Sequence, residues 1–259
     1  MDLLDALVLG AVEGVTEFLP ISSTGHLMVA SQLLALPPTE FLKSFEIAIQ
    51  LGAILAVALL FWRKLLRDKR TLARVALAFV PTAVVGALLY PFIKGYLLEN
   101  TLVPLVALFL GGAFLIIFER WYKKYTNAEA PARDIGEMRV GHALAIGLAQ
   151  SVSIIPGVSR AGATIVGGMF AGLSREAAVE FSFLLAIPTM LAATALDLSQ
   201  SAFSFSGEEW RALALGFAAA FALALAAVKF LLAFVRAHSF APFGVYRIFA
   251  ALAFYFLLF

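Results

Sequence analysis

The feature that most constrains the fold is a series of apolar stretches, each close to the length of a membrane-spanning helix. Such a helix needs about 20 mostly apolar residues, because the hydrocarbon core of a bilayer is about 30 Å thick and each residue adds about 1.5 Å. The sequence therefore predicts six transmembrane helices. They cover residues 42–62, 75–93, 101–118, 177–197, 210–234 and 243–259.

The composition agrees with a membrane protein. Of the 259 residues, 62% are hydrophobic and 14% are charged, and the mean hydropathy is +0.95. Soluble domains are about half apolar and about one quarter charged, and a soluble domain of this length could not bury so much apolar surface. The net charge is only +2, so we expect membrane lipids and no nucleic acid as partners.

Two further apolar regions, residues 3–36 and 142–173, are interrupted near their centres. Each contains a proline, Pro20 or Pro156, followed by Ser, Thr or Gly residues. Each region is too short for two full spans and too interrupted for one. Irregular backbone at membrane depth is tolerated only inside protein or beside a water-filled cavity. We therefore expect each region to form a re-entrant helical hairpin that enters and leaves the membrane on the same side.

Basic residues in the short loops predict the orientation of the chain. Loops 63–74 and 119–140 carry six and five Lys or Arg residues, whereas loops 94–100 and 198–211 carry one each. Because cytoplasmic loops are enriched in Lys and Arg, the first two loops are predicted to be cytoplasmic and the last two external. The first interrupted region should then enter the membrane from outside and the second from the cytoplasm.

The two interrupted regions are similar to each other in sequence. ALVLGAVEGVTEFLPISSTGH aligns with ALAIGLAQSVSIIPGVSRAG when one gap is allowed. Three spans, an odd number, separate the two copies, so the copies should be inverted relative to each other. The sequence thus predicts a single all-α integral membrane domain, residues 1–259, built from inverted-topology repeats of roughly 1–118 and 119–259. The matched residues are Gly10 with Gly147, Glu13 with Gln150, Pro20 with Pro156 and Ser23 with Ser159.

Glu13 and Glu17 are the only charged residues between Asp5 and Glu40. Their i,i+4 spacing places both carboxylates on one helical face. A charged group inside a membrane normally marks either a function or an ion pair. Arg160 is the one basic residue deep in either interrupted region, and it cannot neutralise both glutamates. Two adjacent carboxylates beside a cavity suggest a hard cation, Mg²⁺ or Ca²⁺.

The residues after each break are suited to binding an anion. Ser22 or Ser23 can cap the half-helix after the first break, and Ser159 can cap the half-helix after the second. The free backbone N–H groups of both half-helices would then point at the bilayer midplane. Arg160 adds a guanidinium, whose fork of donors matches the geometry of a phosphate.

His26 has two interpretations. It lies three residues beyond Ser23, close to one helical turn, and can act as base, acid or polarising group for a hydroxyl nucleophile. It can equally be a buried histidine that bonds to backbone. Other features indicate scaffold: Gly10 and Gly14 have the spacing of close helix packing. Arg247, near the end of the last span, is expected to extend its charge to the membrane surface.

Two motifs, EGVTEFLPISSTGHL and PGVSRAGAT, resemble those of the bacterial undecaprenyl-diphosphate phosphatases, also called bacitracin-resistance proteins. FEIAIQLGAILAV and FSFLLAIPTMLAATALD are also similar to segments of this family, and the resemblance covers nearly the whole chain. It implies a multi-pass hydrolase of the bacterial inner membrane that removes the terminal phosphate of a C55 polyprenyl diphosphate. The product is the monophosphate carrier lipid for cell-wall synthesis. The resemblance also implies a divalent cation, an active site open to the periplasm, and a homodimer. The matching positions are Glu13, Glu17, Ser22, Ser23, Thr24, His26, Ser159 and Arg160.

These observations predict a mechanism of phosphoryl transfer. Glu13 and Glu17 hold Mg²⁺ or Ca²⁺ against the diphosphate. Ser23 attacks the terminal phosphorus or orients a water that does, and His26 manages the proton. The predicted catalytic residues are thus Glu13, Glu17, Ser23, His26 and Arg160. The substrate-binding residues are predicted to be Ser22, Thr24, Gly25, Ser159 and Arg160.

A transporter or flippase of an anionic lipid head group is the rival interpretation, because inverted repeats with broken helices are a common carrier design. A purely structural membrane protein would leave the intramembrane charges unexplained.

Overall fold

A computed structural model describes residues 1–92, 100–125, 133–200 and 205–259 of the chain. These residues form ten α-helices and two single 3₁₀ turns, and the only β pairing among them is one isolated bridge. The helices, in chain order, are α1 (Leu3–Thr16), α2 (Ser23–Leu33), α3 (Glu40–Arg67), α4 (Lys69–Phe92), α5 (Leu102–Tyr125), α6 (Val140–Ser151), α7 (Arg160–Phe170), α8 (Arg175–Gln200), α9 (Gly207–Phe234) and α10 (Ala241–Leu258).

Six of these helices are long and apolar enough to cross a membrane, namely α3, α4, α5, α8, α9 and α10. They coincide with the six apolar stretches, so the prediction of six spans is confirmed. Large apolar side chains point outward from them, as with Leu88 and Phe256, which are 74% and 79% exposed. Parts of the predicted loops 94–100, 119–140 and 198–211 fall outside the described residues.

Each interrupted region forms two short helices that contact each other, α1 with α2 and α6 with α7. The longest, α1, has 14 residues and is therefore about 21 Å long, less than the hydrocarbon core of a bilayer. The first break begins earlier than predicted, because α1 ends at Thr16 and not at Pro20. A proline ring clashes with the carbonyl four residues before it, which here is the carbonyl of Thr16.

The short helices pack against the spans through small residues. α1 lies along α9, and α6 lies along α4. A Cβ atom on Gly10 would lie 2.3 Å from the carbonyl oxygen of Gly216, and one on Gly147 would lie 2.1 Å from that of Ala78. These backbones therefore touch directly, as the glycine spacing of α1 predicts. α3 contacts α8 and α9, α8 contacts α4, and α5 pairs with α10. This arrangement encloses the two breaks.

Candidate functional site

A polar pocket of about 120 Å³ lies where the two breaks meet. Its walls include the first residues of α2 and α7, so both half-helices begin at the same cavity. One charged residue comes from each interrupted region. The residues that line the pocket are Glu17, Ser22, Ser23, Thr24, Gln50, Ser153, Val158, Ser159, Arg160 and Met190.

Glu17 is at the centre of the polar contacts in this pocket. Its Oε1 atom accepts hydrogen bonds from Nε and Nη2 of Arg160 at 3.3 and 3.2 Å. Its Oε2 atom accepts a hydrogen bond from the hydroxyl of Ser23. The structure therefore brings three of the predicted catalytic residues together, and it connects the carboxylate directly to the candidate nucleophile.

Arg160 is held in place by groups from two parts of the chain, the first break and α8. Besides the carboxylate of Glu17, its guanidinium contacts the carbonyl oxygen of Ser182 in α8, to which Nη1 donates at 3.1 Å. The guanidinium carbon lies 5.8 Å from the ring centroid of Phe18. Because these contacts fix the plane of the guanidinium, its donors have a set direction in the pocket.

The two half-helices begin differently. Ser159 caps α7, since its hydroxyl accepts a hydrogen bond from the amide of Gly162 at 3.0 Å. Neither Ser22 nor Ser23 caps α2, which corrects the expectation that one of them does. Within the described ranges, the backbone N–H groups of Ser23, Thr24 and Gly25 donate to no protein acceptor. The start of α2 therefore presents free N–H donors, and the positive end of its dipole, at the pocket.

His26 is buried beside the pocket but does not line it. Its Nδ1 atom lies 2.7 Å from the carbonyl oxygen of Ser22, and its Nε2 atom lies 2.7 Å from the hydroxyl of Tyr246. Neither ring nitrogen bonds to the Ser23 hydroxyl. His26 is thus a buried histidine that bonds to backbone, and its part in the reaction stays a prediction.

Glu13 is fully buried, and neither of its carboxylate oxygens has a hydrogen-bond partner among the described residues. Its carboxylate interacts electrostatically with Glu17, Glu46 and Arg160. A carboxylate in such a position requires a proton or a cation. No group of three or more His, Cys, Asp or Glu residues forms a metal site in the part of the chain that the structure describes. A hard cation bound by Glu13 and Glu17 would therefore complete its coordination shell with water or substrate oxygens, as Mg²⁺ commonly does.

Arg247 in α10 is a further buried charge, only 2% exposed. Its guanidinium donates to the carbonyl oxygens of Pro20 in the first break and Gly157 in the second, at 3.3 and 3.1 Å. It also donates to the carbonyls of Leu108 and Ala107 in α5. The expectation that Arg247 extends to the membrane surface is therefore wrong. The breaks free carbonyl groups from helical bonding, and the guanidinium satisfies them.

Comparison with known proteins identifies the family. The model of the family described as "Bacitracin resistance protein BacA" matches residues 6–253. The chain belongs to the BacA family. Among BacA-like relatives, the "Undecaprenyl-diphosphatase" of Aquifex aeolicus is 50% identical over 249 residues, which cover 96% of each chain. The proteins of that name from Thermus thermophilus and Persephonella marina are 49% and 47% identical, over 98% and 100% of this chain and 97% and 99% of theirs.

Membership of the BacA family and the six apolar spans together define a multi-pass membrane protein. Several residues at this site of the BacA-family protein were not predicted from the sequence. Gln50, Ser153 and Met190 line the pocket, and Tyr246 contacts His26. Gln50 is a polar residue inside a predicted span, which is a usable signal. Met190 is an apolar residue inside a predicted span, so nothing in the sequence distinguishes it from its neighbours.

Proposed function

We propose that this protein is a membrane phosphatase that hydrolyses undecaprenyl diphosphate to the monophosphate carrier lipid and inorganic phosphate. The observation that carries this proposal is the contact of Glu17 with both Arg160 and Ser23 in one pocket. Phosphoryl transfer needs a positive group that binds phosphate, a base and a nucleophile, and the guanidinium, the carboxylate and the hydroxyl supply these three. The name that the BacA-family relatives share supports the identity of the substrate.

The pocket belongs to an inverted repeat of two units, roughly 1–118 and 119–259, each with one re-entrant hairpin. The helix contacts support this architecture, in which α1, α3 and α4 of the first unit correspond to α6, α8 and α9 of the second. The contact of α1 with α9 then corresponds to that of α6 with α4, and the contact of α3 with α9 corresponds to that of α8 with α4. The pocket supports it too, because residues 22–24 and 158–160, which the alignment equates, line it from the two units.

The protein lies in the bacterial inner membrane with its pocket open to the periplasm, and it forms a homodimer. The loop charges support the orientation, since loops 63–74 and 119–140 carry most of the Lys and Arg residues between spans. The resemblance to the bacitracin-resistance proteins supports the membrane, the periplasmic opening and the dimer.

The diphosphate binds between the two half-helices. Arg160 directs its guanidinium fork at the phosphate oxygens, and the free amides at the start of α2 donate to them. The side chains of Ser22 and Thr24, with Ser159 opposite, line the same cavity. Gly25 contributes its backbone amide, since it has no side chain. The polyprenyl tail stays in the membrane beside the apolar flank of the site.

Hydrolysis begins when the Ser23 oxygen attacks the terminal phosphorus. The Ser23 proton passes to Glu17, the residue to which this hydroxyl already donates. The bond between the terminal phosphorus and the bridging oxygen breaks, and the lipid monophosphate leaves. Water then cleaves the phosphoserine and restores Ser23. In the alternative version, Ser23 orients a water that attacks the phosphorus directly. In both versions His26 acts by fixing Ser22 and not by carrying the proton.

Glu13 and Glu17 are the residues that would hold Mg²⁺ or Ca²⁺. The unpartnered oxygens of Glu13 support this assignment. When bound, such a cation neutralises the charge of the diphosphate and of its transition state.

Phosphate release from undecaprenyl diphosphate by purified protein in detergent tests the proposed function. A micelle has no two sides, so turnover there requires hydrolysis and excludes pure transport. We expect wild-type protein to release phosphate, chelator to abolish release, and Glu17→Gln to lower the rate by at least about 100-fold. Glu208→Gln, an exposed change of the same kind, should match wild type. No release by wild type in micelles, together with movement of the lipid across vesicles, would favour the transporter.

A further inference from the structure

Tyr246 approaches the site from α10 without lining the pocket. Its hydroxyl lies 2.7 Å from Nε2 of His26. The rings of Tyr246 and His26 are parallel within 6°, with centroids 5.6 Å apart, and the ring of Phe254 meets His26 edge-on at 5.3 Å. The imidazole is therefore held by α10 on two sides.

The hydrogen bonds of His26 determine its tautomer. The carbonyl oxygen of Ser22 can only accept, so Nδ1 of His26 carries a proton and donates to it. In the neutral imidazole Nε2 is then an acceptor, and the hydroxyl of Tyr246 donates to it. Tyr246 therefore donates a hydrogen bond to His26, and His26 donates one to Ser22.

Ser22 is the residue that this chain of hydrogen bonds holds. Its φ of 70° lies in the region that residues with side chains rarely adopt. Such a backbone persists only where its surroundings fix it, and functional sites are where it is found. The next residue, Ser23, directs its hydroxyl at Glu17. The conformation of Ser22 therefore determines where the nucleophile points.

We propose that Tyr246 is a positioning residue for hydrolysis: its hydroxyl donates to Nε2 of His26 and holds the imidazole in place, and His26 holds Ser22 so that Ser23 faces Glu17. The proposal rests on the proposed function, because the group that it positions is the nucleophile of that reaction. Tyr246 itself touches neither the pocket nor the substrate.

Kinetics of Tyr246→Phe test this role, since phenylalanine keeps the ring and removes only the hydroxyl. We expect kcat to fall about tenfold, as for the loss of one buried hydrogen bond, and KM to stay within about twofold. Tyr255→Phe is the matched control, because Tyr255 lies on the same helix and packs on Phe256 and Phe259. It should match wild type. In a His26→Gln background, Tyr246→Phe should cause no further loss. Equal rates for the two Tyr→Phe variants, or additive losses with His26→Gln, would overturn the proposal.

A second measurement does not depend on activity. The chain has three histidines, and ¹⁵N-histidine NMR of the detergent-solubilised protein identifies the His26 signal by its loss in His26→Gln. We expect His26 to be neutral with its proton on Nδ1 in wild type. In Tyr246→Phe we expect the same tautomer with a shifted ¹⁵N signal of Nε2, because Nε2 loses its hydrogen bond. A proton on Nε2 in wild type, or an unchanged spectrum in Tyr246→Phe, would contradict the link from Tyr246 through His26 to Ser22. Absence of hydrolysis with the expected spectra would reject the proposed function while leaving the link in place.

Discussion

Glu17 and Arg160 are 143 positions apart in the chain, yet two nitrogens of the Arg160 guanidinium donate to one carboxylate oxygen of Glu17. The two side chains are 8% and 10% exposed. The protein contains a contrasting pair, Glu176 with Arg236, whose side chains are 53% and 69% exposed. The two pairs allow the effect of burial on a Glu–Arg contact to be measured within one protein.

Breaking the buried pair should destabilise the protein much more than breaking the exposed one. We expect Glu17→Gln to lower the free energy of unfolding by about 3 kcal/mol, because it leaves a buried guanidinium without its carboxylate. Glu176→Gln should lower it by less than about 1 kcal/mol. Unfolding in detergent, followed by circular dichroism, measures both. Equal losses for the two variants would show that the Glu17 pair is not buried in solution.

The hydroxyl of Ser23 should be essential for turnover. We expect Ser23→Ala to slow phosphate release at least about 100-fold, because the nucleophile is lost. Ser31→Ala is the matched control, since Ser31 lies on the same helix and its hydroxyl also donates to a glutamate, Glu46. It should keep the wild-type rate. A fully active Ser23→Ala protein would reject the serine nucleophile and leave the version in which water attacks.

Glu13→Gln should separate stability from cation dependence. The change removes a buried carboxylate that has no partner, so we expect the unfolding temperature to stay or rise in the absence of cation. The cation concentration needed for half-maximal activity should increase about tenfold or more, because one ligand is lost. Titration of chelator-treated protein with Mg²⁺ and Ca²⁺ measures this shift. An unchanged titration curve would remove Glu13 from the cation site.

Arg247→Met should affect both stability and activity. The substitution leaves carbonyl groups of both breaks without a donor, which should cost about 2–4 kcal/mol and disorder the pocket. Arg236→Met, at an exposed site, is the control and should change little. Arg247→Lys should recover part of the loss, because an ammonium can still donate to some of the carbonyls. Wild-type unfolding and turnover in Arg247→Met would contradict the account of the two breaks.

Much of the architecture follows from sequence because its causes are local. A run of about 20 apolar residues specifies a span, and all six spans coincide with helices of the structure. The meeting of Glu17 and Arg160 could be anticipated because charged residues at membrane depth need partners. Ser159 was expected to cap α7 and does so.

The remaining features depend on contacts between distant segments. Arg247 has the sequence context of a surface-seeking arginine, and only the folded chain brings the carbonyls of Pro20 and Gly157 to it. Gly157 has a φ of +88° and its Cα faces the backbone of Pro104, so the second break lies directly against α5. The hydroxyl of Ser22 makes no cap because its backbone has a positive φ, which neighbouring residues do not reveal.

The most direct test of the central claim is phosphate release from undecaprenyl diphosphate in detergent by Arg160→Lys, with Arg236→Lys as the exposed control. In the proposed site, the guanidinium fork from one interrupted region binds the diphosphate that Ser23, activated by the carboxylate of the other region, attacks. We expect Arg160→Lys to be slower than wild type by at least about 100-fold, because an ammonium cannot reproduce the fork. Release at the wild-type rate by Arg160→Lys would contradict this claim.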